Sequence, residues 1–281
     1  MKKLYFCAMF KKPGYIHLLL LLSVAFTFSC TQYEKILKSD DYNLKYTKAF
    51  EYYNKGDYLR AGNIFDQIAP VFRGTKKADS VYYFQAMSYF KQHDYIISGH
   101  YFQLFAQTFG NSPFVKDAAF NEAYCYYLSS PNPELDQSNT YQAIDAFQLF
   151  ISRYPNSSHV EECRNYINEL RDKIMQKSFL AAKTYFDLED YKASLTALST
   201  SLVDYPESKY REEIMFMIVK SSYLLAVNSI ESKKPERFQE SVDEYYSFIA
   251  EFPESKYRKE ATRMYENSSQ YLENRDIVIK E

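Results

Sequence analysis

Tryptophan is absent from the 281 residues, glycine occurs 6 times, and histidine and cysteine 4 times each. So few glycines argue against dinucleotide-binding and phosphate-loop folds, whose turns need residues without a Cβ. The HExxH, CxxC, GxSxG and GxxxxGK patterns are missing. Of the histidines beyond the first 29 residues, His93, His100 and His159, none has a partner at metal-ligand spacing. His93 replaces the glycine of a Gly-Asp-Tyr turn, which assigns it to the turn, and His100 is expected packed or at the surface. The acidic pairs Asp40-Asp41 and Glu161-Glu162 fall at predicted helix starts, where the helix dipole favours negative charge. No enzyme activity, metal or cofactor is expected. Excess positive charge is missing too. The first 29 residues hold four lysines and no acid, which leaves 30 basic against 36 acidic residues in the remainder. A mildly acidic body suits phosphate backbones poorly, so nucleic acid is excluded as a partner.

Long apolar runs are scarce as well. One alone stands out, from Ile16 to Phe28, preceded by Lys2, Lys3, Lys11 and Lys12. It is too short to span a bilayer but fits the hydrophobic region of an export signal over residues 1–29, and Met9 offers a second start. The run ends Thr27-Phe28-Ser29-Cys30, which resembles the lipobox of bacterial lipoproteins, with Thr27 where that motif usually has Leu. The resemblance implies cleavage before Cys30, a diacylglycerol on its sulfur, and residues 30–41 as anchor and linker. Ordinary secretory cleavage nearby, with Cys30 incidental, is the other reading. No later segment is apolar enough to cross a bilayer. Cys125 and Cys163 have no spacing that suggests a bridge, and two buried free thiols are expected.

What the chain has in abundance is aromatic residues, 29 Tyr and 22 Phe, and they recur. A frame of Tyr/Phe, a small residue, a bulky apolar residue and a second aromatic fits Tyr58, Ala61, Phe65 and Phe72. It fits again at Tyr95, Ser98, Phe102 and Phe109; at Thr140, Ala143, Phe147 and Tyr154; at Tyr191, Ser194, Leu198 and Tyr205; and at Phe238, Ser241, Tyr245 and Phe252. The first step is 37 residues, and later ones stretch to 45, 51 and 47. Each copy closes on a related turn (FGNSP, YPNSS, YPESK, FPESK and the weaker FRGTK), where Pro should stop one helix and Ser cap the next. Upstream of four frames, Ala49 and Tyr52, Ala86 and Tyr89, Ala123 and Tyr126, and Ala182 and Tyr185 share one spacing. The type unit is Asn43–Asn54 and Tyr58–Pro70 joined by Lys55-Gly56-Asp57. It resembles the tetratricopeptide repeat. The predicted fold is an all-α solenoid of five such pairs, with residues 129–140 an inserted loop, 159–188 a long helical stretch and 260–274 a capping helix. Residues 42–155 hold the first three repeats, 156–274 the long helix, the last two repeats and the cap, and 275–281 a tail.

A lipobox followed at once by five such repeats resembles the BamD family of outer-membrane assembly lipoproteins, over residues 33–267. The most specific stretch is Asp136-Gln137, then Thr140, Ala143, Phe147, Phe150 and Tyr154-Pro155-Asn156-Ser157. The resemblance implies a non-enzymatic lipoprotein of the outer membrane that faces the periplasm and works with the BamA barrel insertase and other assembly lipoproteins. It implies that the first repeats receive unfolded β-barrel substrates and the last dock on BamA, with Lys209, Arg211, Lys256 and Arg258 as candidate rim contacts. A solvated turn explains those four charges equally well. Two other functions also fit the repeats: a general envelope scaffold for cell division or peptidoglycan, and an anchored glycan binder.

One feature comes from the residues themselves. The first helix of each tetratricopeptide unit lines the concave face at positions three and four apart. In the first unit these hold Tyr46, Phe50 and Tyr53; 37 residues on, Tyr83, Met87 and Phe90; and 37 further, Phe120, Tyr124 and Tyr127. All nine are aromatic or Met. They read either as a groove for an extended apolar peptide or as a core seam.

Overall fold

The computed structural model describes residues 32–280, with side chains to Arg275. The expected signal and Cys30 lie outside the described residues. The described chain is helical throughout: a turn over residues 32–37, then α1 (Tyr42–Asn54), α2 (Tyr58–Phe72), α3 (Ala78–Lys91), α4 (Tyr95–Thr108), α5 (Val115–Leu128), α6 (Ser138–Arg153), α7 (Val160–Asp187), α8 (Tyr191–Asp204), α9 (Arg211–Val227), α10 (Lys234–Glu251) and α11 (Arg258–Lys280). Helices from α1 to α5, and from α7 to α11, pack on their neighbours in the chain. These include four of the five predicted helix pairs; the third, α5 with α6, is joined by Phe120 against Phe150 at 5.7 Å. No described helix is long and apolar enough to cross a membrane.

The turn chemistry differs from expectation in a consistent way. Ser does not cap the first helices: Ser112, Ser208 and Ser255 instead accept the N–H two residues on, from Phe114, Tyr210 and Tyr257, inside the preceding turn. Side-chain capping falls to aspartate. Asp57, Asp94 and Asp190 each accept the N–H three residues ahead, at the starts of α2, α4 and α8. Their carboxylates satisfy a backbone donor and face the positive helix end. Nor does Pro70 end its helix, which runs on to Phe72. In the last turn its missing N–H forfeits one bond, and buried Phe72 holds the extra residues. The residue between helices sits at positive φ: Gly56 at 81°, His93 at 62° and Glu189 at 60°. Glycine takes that conformation freely, whereas the other two are strained.

The chain divides into two compact units. The first runs to Ser129 and takes in Ala146–Ser157; the second holds Ser130–Asp145 and all from Ser158 onward. In the first, Ile64, Phe65, Ile68 and Val81 form one fully buried cluster and Phe102, Phe105, Ala118 and Cys125 belong to another. In the second, Phe179, Leu198 and Ile214 form one cluster and Phe216, Phe248 and Met264 another. Burying each large side chain contributes about 1.5–3 kcal/mol before the entropy of ordering it. Both Cys125 and Cys163 are buried free thiols, as expected.

Candidate functional site

The aromatic rows of the first unit are joined, and none of the nine side chains is fully exposed. Along α1, Tyr46 and Phe50 lie 4.8 Å apart by ring centroids; Phe50 meets Phe65 of α2 edge-on at 5.1 Å, and Tyr46 reaches Phe72 at 5.5 Å. The stripe therefore packs partly on its own second helix. Phe84 of α3 fills the step to the next row, 5.0 Å from Phe50 and 4.9 Å from Tyr53. Further along, Phe90 lies 6.1 Å from Tyr124 of α5. There the rings stack along the helix: Phe120 to Tyr124 at 5.9 Å and 14°, Tyr124 to Tyr127 at 5.8 Å and 12°. Phe120 also touches Phe150 of α6 at 5.7 Å, and Tyr127 touches Phe147 at 6.4 Å.

Eight of the nine, including Met87, are half-buried. Tyr83 is not. It is 8% exposed, stacked on Phe114 at 4.6 Å and packed against Phe102 and Phe105. Its place in the row is that of a core residue. Desolvation, then the charge of Asp117, raises its phenol to about 12, and desolvation raises Tyr53 likewise to about 12. Both hydroxyls stay protonated donors at any physiological pH.

Phe84 escapes sequence reasoning because it stands one place off the row. The residues 37 before and after it are Thr47 and Asn121. Also missed was Asp66 on α2, which accepts bonds from Gln85 Nε2 at 2.7 Å and Tyr89 Oη at 2.6 Å, tying the first repeat to the second. A lone Asp mid-helix carries no sequence signal of that role.

In the second unit, the four basic candidates are engaged within the chain. Lys209 pairs with Asp172 of α7 at 2.8 Å. Arg211, starting α9, forks onto Glu251 at the end of α10, with Nη2 to Oε2 at 2.9 Å. Arg258 donates to the Pro253 carbonyl at 3.0 Å, and Lys256 lies 4.8 Å from the Tyr257 ring centroid. Lys209 and Arg211 thus bridge elements, while Lys256 and Arg258 stay on one turn. That turn borders an open cleft of about 910 Å³ at the start of α11, lined also by Tyr257, Lys259, Arg263 and Glu266. Among the described residues no group of three His, Cys, Asp or Glu converges as a metal site.

The family model YfiO, described as an outer membrane lipoprotein, matches residues 39–196 and 175–281. The chain belongs to the YfiO family of outer membrane lipoproteins. Among curated relatives of this YfiO-family chain, the outer membrane protein assembly factor BamD of Caulobacter vibrioides is 22% identical over 123 residues, 44% of this chain and 40% of that protein. The protein of the same name from Rickettsia prowazekii is 22% identical over 117 residues, 42% of this chain and 46% of the relative. The matched stretch thus spans under half the length of each. Among solved structures, the TPR2AB-domain:pHSP90 complex of yeast Sti1 covers 81% of this chain and 98% of its own, at 12% identity and a TM-score of 0.37. The human IFIT1 dimer with PPP-AAAA covers 92% and 64%, at 15% identity and a TM-score of 0.28.

Proposed function

We propose that this YfiO-family protein is a non-enzymatic, lipid-anchored component of an outer-membrane β-barrel assembly complex. Family membership over nearly all of the described chain is the observation that carries this reading, and the BamD relatives give it its direction. Cys30 is the lipidated residue, exposed by removal of residues 1–29, and the body faces the periplasm. Residues 42–155 receive unfolded barrel proteins; residues 156–274 dock on a BamA-type insertase. Of the basic turn residues, Lys256 and Arg258 beside the α11 cleft are the ones placed to meet a partner. Their contacts stay within their own turn, Arg258 pairing with Glu254 at 3.9 Å, whereas Lys209 and Arg211 already bridge separate elements.

The substrate segment is the C-terminal strand of a barrel protein, with alternating apolar residues ending in Phe. The half-buried rings of Tyr46, Phe50 and Tyr53, of Met87 and Phe90, and of Phe120, Tyr124 and Tyr127 supply apolar faces that stack without demanding one sequence. Met87 adds an adaptable contact. Tyr hydroxyls bond to the peptide's unpaired backbone.

The test is a double variant, Phe90→Ala with Tyr124→Ala, which removes two rings in contact without touching Tyr83. Binding of a Phe-ended strand peptide, measured by fluorescence anisotropy, is expected to weaken at least tenfold, equivalent to about 1.4 kcal/mol. Circular dichroism should show the helices retained. A folded variant that binds like the parent protein returns the rings to the core and refutes the groove.

A further inference from the structure

The start of the described chain is fixed to the body. In residues 32–37, Ile36 and Leu37 join the first core cluster. The Leu37 carbonyl accepts from Lys45 Nζ at 2.9 Å, and Asn63 Nδ2 donates to Tyr33 Oη at 3.1 Å. Lys45, 6% exposed, also bonds to Gln67 at 2.8 Å. Tyr33 lies against Tyr52 near the end of α1, with ring centroids 5.8 Å apart, and under the Arg60 guanidinium at the start of α2, 5.2 Å away. The chain therefore enters the body beside the α1–α2 turn. The α3–α4 turn is tied next to it by Gln92 Nε2, which donates to the Tyr58 carbonyl at 3.1 Å.

That edge carries two exposed apolar side chains at equivalent repeat positions: Leu59, the second residue of α2, at 61%, and Ile96, the second residue of α4, at 72%. Single exposed apolar residues are common. These two stand at adjoining turns on the edge from which the anchor leaves. Cys30 precedes Gln32 by two residues, at most about 7 Å of extended chain.

We infer that this edge, the start of α2 with Leu59 and the start of α4 with Ile96, rests on the lipid surface and inserts its apolar side chains among the headgroups. The inference depends on acylation of Cys30. An acyl group so close to a segment fastened by Lys45 and Asn63 cannot hold the body off the bilayer on a tether. It sets this edge down on it. Tyr33 has the amphipathic ring enriched at such interfaces, and exposed Lys35 is placed for lipid phosphate. Contact through the edge adds a second attachment to the acyl chains.

The absence of tryptophan makes the test direct, because one introduced indole is the sole reporter. Full-length acylated protein carrying Leu59→Trp, Ile96→Trp or Val71→Trp is reconstituted into phosphatidylethanolamine–phosphatidylglycerol vesicles with brominated acyl chains. Val71, 47% exposed, lies about 18 Å from Leu59 along α2 and serves as the distal control. The first two variants are expected to lose emission in brominated relative to unbrominated vesicles and to emit at shorter wavelength than Val71→Trp, which bromine leaves unquenched. Equal emission in all three overturns the inference, as does a shift at Leu59→Trp or Ile96→Trp only on adding another protein. Mass spectrometry of the N-terminal peptide separates the two levels. An acylated Cys30 with unquenched indoles sinks the membrane edge and leaves the anchor; an unmodified Cys30 sinks both.

Discussion

At the residue scale, Tyr83 shows how one member of a periodic stripe differs from its equivalents. Tyr46 and Phe120 occupy the same row position and are half-buried, but Tyr83 is enclosed by Phe102, Phe105 and Phe114. Phe114 decides this, since its ring stacks flat on the tyrosine at 4.6 Å. Truncation there opens a cavity that a packed core fills only in part. Tyr83→Ala is expected to lose about 3–5 kcal/mol of stability in urea unfolding. Tyr124→Ala, one row on, should lose clearly less. Equal losses at the two positions would contradict the distinction between core and groove.

At the scale of elements, small buried side chains set how close successive pairs approach. Ser98 of α4 meets Cys125 of α5 at 3.5 Å, Ser194 of α8 meets Ser221 of α9 at 3.3 Å, and Ser241 of α10 meets Ser268 of α11 at 3.5 Å. The separation is 27 residues each time, from the second helix of a pair to the helix that follows it. Next to Ser98, a Cβ built on Gly99 would stand 3.1 Å from that of Cys125, so the backbones leave little room. Filling such a contact forces the helices apart. Ser221→Leu is therefore expected to destabilise by about 1–3 kcal/mol despite adding apolar surface, read as a lowered urea midpoint with unchanged slope. Ser221→Ala, which fits the space, should lose much less. Half of this contact was legible in the sequence, because the small residue at the frame's second position marks a close approach. Its partner, 27 residues on, was not, because a Ser or Cys in a first helix falls outside the aromatic frame and looks like any other small residue there.

For the whole molecule, buried acids that must stay neutral give stability a direction with pH. Desolvation raises the Cys125 thiol from its usual 9.0 to about 12 and the Cys163 thiol to about 11. Tyr53 and Tyr83 rise from 10.0 to about 12. A raised pKa means that the folded chain holds protons the unfolded chain releases between the two values. The associated stability is complete below about pH 9 and is lost as pH climbs through 11 to 12. Thermal midpoints should hold from pH 7 to 9 and then fall steeply. In the same experiment both thiols should resist iodoacetamide at pH 8 and react once the chain unfolds. A native Cys125 that alkylates rapidly at pH 8 would show that its enclosure is wrong.

The sequence by itself determined the helix pairs, the five frames, the long α7 and the free thiols, because these follow from local periodicity, composition and covalent spacing. It also identified the family through Asp136-Gln137 and Thr140. In the folded chain Gln137 is buried, donating to the Asn132 and Leu135 carbonyls and accepting from Thr140 Oγ1 at 2.6 Å, so those residues pin the inserted loop. Only the tertiary structure decided which side of each helix stays open. A stripe three and four residues apart looks the same whether it faces solvent or a neighbouring helix, and Phe84, Phe114 and Phe72 reach their rows from other helices or positions off the repeat. Whether Arg211 is free or forked onto Glu251, forty residues away, is settled in the same way. Side-chain burial is a property of what packs from elsewhere in the chain, and local pattern carries no record of it.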